Sequence, residues 1–439
     1  MEAEAEAVHE DELRDAWPVL SPRERVEGFH LLRPERARDF FATLEPPEQV
    51  GLLQALSPGE RGTWLRVMAP DDAADVVQRL PPEEREDWLA LLDAPSLREV
   101  RALLAYGEDA AGGLMNPRFV RVRPELRIDE ALSYLRRQAR EQVETVYYAY
   151  VLDAEQRLVG VVSLRQLFQA TPDKVVREVM RTDLVRVRED TDQEEVGRLF
   201  GRHGLVAIPV VDGQGRMKGI VTVDDIVTVV QEEATEDIQK VGGTEALGAP
   251  YLEVGLRAML KKRAGWLLVL FLSEMLTATA MTRYQDEIAR AVVLSLFVPL
   301  IISAGGNAGS QASTLVIRAL ALAQVRLRDV WRVLRREIVS GLLLGAVLGA
   351  VGVTRILLWQ ELFHLYGEHF LKVAFTVGLS VLGVVTWGTL AGAMLPFLLR
   401  RMGFDPASAS APFVATLVDV SGLVIYFTTA EFILRGTLL

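Results

Sequence analysis

Five apolar stretches, roughly 264–283, 291–322, 338–359, 373–399 and 411–434, fill the C-terminal part of the 439-residue chain. Each reaches the length of about 20 residues that a helix needs to cross a bilayer. In hydrocarbon every backbone polar group must be paired within the protein, which leaves helices or closed barrels. Stretches this long and continuous predict an all-α domain of five membrane helices. The second stretch holds "SAGGNAGSQAST", whose glycines predict a break or irregular backbone.

Charge is segregated along the chain. Residues 261–439 carry 16 Lys and Arg against 10 Asp and Glu, a net of +6, which leaves −17 of the total −11 on residues 1–260. The first part therefore reads as soluble and acidic, a balance that excludes nucleic acid and favours cations. Arg and Lys near the span ends give an orientation. Lys261, Lys262 and Arg263 precede the first span, five arginines separate spans two and three, and Arg400 and Arg401 separate four and five. The expected arrangement is a multi-pass plasma (inner) membrane protein with the N-terminus cytoplasmic and the C-terminus outside. Without cysteine there is no disulfide framework, thiolate metal site or thiol nucleophile. The opening "MEAEAEAVHEDELRD" lacks the basic and apolar regions of a cleavable signal.

Two internal repeats organise the soluble part. Prolines recur every twelve residues from Pro22 to Pro82, then at Pro95, often two positions after an apolar residue. Proline suits the first helical turn, and Ser21 and Ser57 stand at N-cap positions, so each repeat predicts one short helix in a stacked array. Farther on, "YVLDAEQRLVGVVSLRQL" at 150–167 is matched by "PVVDGQGRMKGIVTVDDI" at 209–226, with Asp153/Asp212 and Gly160/Gly219 in register. Each copy reads strand, amphipathic helix, two strands joined by a turn, and helix. The pair resembles tandem CBS domains, a resemblance that implies dimerisation and nucleotide sensing, ATP included. The family's ribose-holding Ser/Thr-x-x-Asp is kept as Thr222 and Asp225, whereas the first copy has Ser163 and Gln166. An acidic helix then leads through glycines at 242–243 and 248 to the membrane part.

The chemistry concentrates in the spans. Glu274, Arg355, Asp419 and, near an end, Glu431 are the ionisable residues that stand out there. Intramembrane charges by default mark a pathway or a partner. Asp419 lies mid-span among small residues and reads as a cation site, with a salt bridge to Arg355 as the structural alternative. Glu274 reads equally as a second pathway acid or as the partner of Arg355. In "AGGNAGSQAST", Gly305, Gly306 and Gly309 would expose carbonyls, while Asn307, Ser310, Gln311, Ser313 and Thr314 supply neutral oxygens. Together they predict a lined cavity, with glycine-mediated helix packing as the alternative. One carboxylate with carbonyl and hydroxyl oxygens suits Mg²⁺, which keeps several of its waters. In a two-fold dimer the carboxylate would occur twice.

In order, the helical repeat, CBS pair, acidic helix and five spans resemble the MgtE family of magnesium channels. The motifs are "AYGEDAAGGLM" at 105–115, "EATEDI" at 233–238, "GGNAGSQAST" at 305–314 and "PFVATLVDVSGLVIY" at 412–426. The resemblance implies a homodimer that passes hydrated Mg²⁺, with Mn²⁺ and Co²⁺ as further candidates, through a pore at the dimer axis. It makes Asp419 the pore carboxylate, assisted by the carbonyl of Ala415. It also implies regulatory Mg²⁺ held by Asp71, Asp75, Asp225, Glu233, Glu236, Asp237 and Asp405, closing the pore. The implied domains are residues 1–116 (helical repeat), 117–232 (CBS pair), 233–258 (connecting or plug helix) and 259–439 (membrane). Three positions depart from the family pattern: Ala411 where a polar Asn is expected, Thr228 where a carboxylate is expected, and Glu274. Ala411 leaves ion selectivity open. A proton- or sodium-coupled divalent-cation exporter and a CBS-regulated anion channel are the rival functions. No nucleophile–base constellation points to an enzyme.

Overall fold

The computed structural model describes residues 9–139, 143–249, 251–252 and 254–438. Most of the acidic opening segment read above lies outside the described residues. The chain forms two compact units, Met1–Gln231 and Glu232–Leu439.

The first unit begins with α1 (Glu10–Ala16) and then the proline-initiated series α2 (Pro22–Leu31), α3 (Pro34–Ala42), α4 (Pro46–Ala55), α5 (Pro58–Val67), α6 (Pro70–Gln78) and α7 (Pro82–Leu89). The eighth helix, α8 (Ala94–Leu103), carries Pro95 in its first turn. Each proline occupies a position whose N–H has no helical acceptor, so nothing is lost by its absence. Ser21 and Ser57 cap α2 and α5 as expected, each in a reciprocal box with Glu24 or Glu60. Helices this short are held by burial of Trp17, Phe29, Phe40, Leu53 and Trp88 more than by propensity.

After α9 (Ala111–Leu114), two copies of one motif follow. The first is β1 (Arg121–Val122), α10 (Ile128–Gln138), β2 (Tyr148–Leu152), β3 (Leu158–Ser163) and α11 (Leu164–Gln169), with α12 (Val176–Val179) as a connection. The second is β4 (Val187–Arg188), α13 (Gln193–His203), β5 (Ala207–Val211), β6 (Met217–Thr222) and α14 (Val223–Val241). In each sheet the first strand is parallel and the third antiparallel to the middle one. Asp153 and Asp212 do the same work, each accepting backbone N–H bonds at two and four residues on. The acidic connecting segment is not a separate helix. It continues the last CBS helix, because no breaker interrupts α14 before Gly242, and Gly243 turns the chain with φ +76°.

The second unit continues with α15 (Leu256–Arg283), α16 (Gln285–Arg290), a 3₁₀ turn over Val292–Phe297, α17 (Val298–Ala321), α18 (Val330–Phe363), α19 (Phe370–Arg401) and α20 (Ala411–Leu434). Five of its segments are long and apolar enough to cross a membrane. Helix α19 is central and packs on α17, α18 and α20; α17 also packs on α20, while α17 and α18 barely meet.

The expected irregular backbone at 305–314 is corrected here. The second span does break, but at the 3₁₀ turn before Val298, and α17 runs unbroken through the glycines. Its glycines serve close packing. A Cβ at Gly388 or Gly392 of α19 would collide with the carbonyl oxygens of Gly305 and Gly309. Two small-xxx-small faces thus let α17 and α19 touch backbone to backbone.

Candidate functional site

Asp419 lies half-buried on α20. Gly306 of α17 faces it: a Cβ built there would stand 3.5 Å from Asp419 Oδ1 and 3.5 Å from the Ala415 Cβ. Glycine at 306 thus clears room for the carboxylate and for the turn that carries Ala415. Among the described residues no cation is paired with Asp419. Its electrostatic neighbour is Glu274 of α15, a like charge. Arg355 is engaged elsewhere, stacked near Phe297 and Trp359 with its guanidinium 6.0 and 5.5 Å from the ring centroids. The salt-bridge alternatives for Asp419 and for Glu274 both fail on this placement.

The remaining residues of the polar run divide by helix face. Ser310 donates to the Ala411 carbonyl at 3.0 Å, and Ser313 donates to Ala409 at 2.8 Å, which clamps the segment leading into α20. Thr314 bonds back to Ser310 within its own helix. Asn307, which donates to Ser303, and Gln311 point into a groove of 790 Å³ between α17 and α18.

The segment before α20 is also tied to the end of α14. Lys240 donates to Asp405 Oδ2 at 2.6 Å and pairs with Glu236 one turn back on α14. Burial alone would lower the Lys240 pKa; the hydrogen bonds to Asp405 and Glu236 outweigh it and raise the pKa. Asp405 Oδ1 meanwhile accepts from Ala407 N–H. Trp266 of α15 donates to Ser410, the N-cap of α20, and Gly243 lies against Trp266 and Pro412. Sequence reasoning missed Lys240 because a lysine in "EDIQKVGG" looks like a solvated helix end; only its distance to Asp405 gives it a role.

In the first unit a carboxylate cluster forms around α6 and the start of α14. Asp71 is buried, and its pKa is raised well above the ordinary value by burial, then by the charges of Asp225, Asp72 and Glu144. Burial likewise pushes Asp225 up to about 8; the hydrogen bond from Thr222 opposes the shift, and the charges of Asp224 and Asp72 add to it. Asn116 bridges the group, donating to Asp71 at 3.1 Å and to Glu144 at 2.6 Å. Asn116, Asp72, Glu144 and Asp224 carried no signal beyond ordinary surface polarity. Asp75 lies one turn after Asp71 on α6, and Glu233 and Asp237 lie on α14. Among the described residues no three carboxylate or histidine side chains converge as a chelating cage. Thr222 donates to Asp225 at 2.6 Å, and Ser163 forms a capping box with Gln166, so both helices after the third strand are capped by these pairs.

Comparisons with known proteins follow the same division. The MgtE profile, described as a divalent cation transporter, matches residues 298–429. The MgtE intracellular N domain matches 8–109, and the CBS domain matches 111–173 and 176–232. The magnesium transporter MgtE of Thermus thermophilus is 44% identical over 346 residues, covering 79% of this chain and 75% of the relative. That of Enterococcus faecalis is 34% identical over 337 residues, 77% of this chain and 72% of the relative. A crystal structure described as the cytosolic domain of the Mg²⁺ channel MgtE in complex with ATP is 41% identical, with TM-score 0.48, covering 51% of this chain and 91% of that one. Inosine-5'-monophosphate dehydrogenase of Aquifex aeolicus is 31% identical over only 30% of the chain, a likeness confined to the CBS pair. With two MgtE relatives above 30% identity over most of its length and all three domain types in order, the chain belongs to the MgtE family of divalent-cation transporters and is not an enzyme.

Proposed function

We propose that the chain passes hydrated Mg²⁺ across the plasma membrane through a pore at the axis of a homodimer. The observation that carries this reading is Asp419, a mid-span carboxylate without a cationic partner among the described residues, seated against a glycine in a member of this family. An unpaired charge at membrane depth is costly unless water or an ion reaches it. Two copies of Asp419 about an axis would supply two negative charges to one ion. The Ala415 carbonyl, whose second lone pair is free of the helical bond, would accept from the ion's waters. Holding the hydration shell and leaving the metal undehydrated keeps binding weak enough for conduction. Gly306 makes the space, and Gly305 and Gly309 hold α17 in place beside it.

Regulation is proposed to run through the acidic soluble part. Residues 1–116, 117–232, 233–258 and 259–439 are taken as helical-repeat, CBS, connecting and membrane domains, with the N-terminus cytoplasmic and the C-terminus outside. Cytosolic Mg²⁺ bound among Asp71, Asp75, Asp225, Glu233, Glu236, Asp237 and Asp405 would favour the closed arrangement, because a ligand shifts population toward the state it binds better. The clamp from α14 through Asp405 and Ser410 to α20 gives such a change a mechanical route to Asp419. A ribose at Thr222 and Asp225 would have to break their 2.6 Å bond, and the cation already claims Asp225. Coupled export is the second reading, favoured by the proximity of Glu274 to Asp419. Flux of Mg²⁺, Mn²⁺, Co²⁺ and Ca²⁺ into liposomes, with and without a proton gradient, separates the two. Gradient-independent Mg²⁺ entry supports the pore, and flux that requires the gradient overturns it.

A further inference from the structure

We infer that the groove between α17 and α18 is a binding slot for one phospholipid, its phosphate held by Arg355. The slot exists because α17 and α18 both pack on α19 and barely on each other. Its floor is Val381 and Val385 of α19, one wall is apolar through Leu344, Leu348 and Val351 of α18, and its volume is 790 Å³. The walls are exposed, Val351 to 63%.

The dimensions choose the occupant. Along α18 the eleven steps from Leu344 to Arg355 rise about 16 Å, close to one leaflet's half of a hydrocarbon core about 30 Å thick. Helix α18 is 34 residues long, about 51 Å. If it overhangs the core equally at both ends, Arg355 falls at the boundary between acyl chains and headgroups. Phe297 and Trp359 flank the guanidinium there, as aromatic residues do at a membrane interface. Among the described residues no carboxylate pairs with Arg355. A phosphodiester at that level supplies the missing anion, and an acyl chain lies below it along the apolar α18 wall and α19 floor, facing Ser303, Asn307 and Gln311 of α17 across the groove. With the C-terminus outside, as proposed above, the C-terminal end of α18 and its Arg355 lie in the outer leaflet; a reversed orientation moves the lipid to the other leaflet without changing its retention, so the two ideas fail separately.

The test is native mass spectrometry of the full-length protein released from membranes containing phosphatidylglycerol. The parent and Arg355→Lys should each retain one phospholipid per chain. Arg355→Gln should retain about fivefold less, the effect of one basic residue at a lipid surface. Val351→Trp, which fills the slot while leaving Arg355 in place, should lose the lipid. Retention by Arg355→Gln and Val351→Trp equal to the parent overturns the proposal. So does efficient cross-linking of Val351→Cys between two copies in the membrane, readable because the parent chain has no cysteine.

Discussion

At the scale of single residues, Asp419 is the sharpest point of the proposal. Asp419→Ala removes the carboxylate proposed for the pathway and leaves the packing against Gly306 free of clash. It should reduce Mg²⁺ flux at least about tenfold, as expected when a focusing charge is lost from a narrow path. Uptake by liposomes, or rescue of a Mg²⁺-deficient host on low Mg²⁺, reads this directly; parental flux from the mutant would remove Asp419 from the path. The buried acids of the first unit give a second prediction, through pH. Asp225 has its pKa raised from 3.8 to about 8, and that of Asp71 is raised as well. The folded state therefore binds more protons than the unfolded one between those values, and stability falls as pH rises through that window. Without Mg²⁺, the unfolding temperature followed through the buried Trp17 and Trp88 should drop from pH 5 to pH 8. Millimolar Mg²⁺ should restore most of the loss at pH 8, and Asp71→Asn should flatten the pH dependence. A profile that rises with pH would contradict this placement of the carboxylates.

Among the elements, the glycine contacts decide how the membrane unit closes. Gly392→Ala places a methyl against the Gly309 carbonyl, which overpacking of this kind penalises by about 1–3 kcal/mol. Its unfolding temperature should fall, whereas Gly201→Ala, inside α13 with nothing near its Cβ, should not lower it. The helices themselves were legible in the sequence. Proline period, capping serines and apolar length each leave a local mark, and the observed spans Leu256–Arg283 to Ala411–Leu434 overlap the apolar stretches closely. What "GGNAGSQAST" does was less legible, because a glycine that breaks a helix and a glycine that lets a neighbour approach read alike until the partner is known. Here the partner is Gly388 and Gly392, 83 residues away from Gly305 and Gly309 in sequence, and no local pattern links them. Lys240 and Asn116 were hidden for the same reason, since each acts on a carboxylate remote in sequence, Asp405 and Asp71. Lys240 yields a prediction of its own. Its ammonium occupies the carboxylates Glu236 and Asp405, so a divalent ion there must displace it. Lys240→Met frees both acids, and closure of the path should then need several-fold less cytosolic Mg²⁺ in a flux titration; an unchanged midpoint would place the ion elsewhere.

For the whole molecule the governing quantity is charge. A net of −17 on residues 1–260 means that two soluble parts brought together in a dimer repel each other over distances set by the ionic strength. Monovalent salt weakens that repulsion only by screening, whereas a divalent ion bound as proposed among Asp71, Asp225 and their neighbours would neutralise it at fixed points. The two mechanisms differ in a measurable way. Limited proteolysis at the turns after α14, where Gly243 and Gly248 adopt positive φ, should slow as Mg²⁺ rises through the millimolar range. KCl at matched ionic strength should give far less protection. Asp71→Asn with Asp225→Asn should abolish the Mg²⁺ response, whereas Asp419→Ala should leave it intact, since the pore acid is not asked to sense cytosolic ion. Equal protection by KCl would reduce the acidic half of the chain to a general electrostatic effect. Loss of the response in Asp419→Ala would merge sensor and pore into one site.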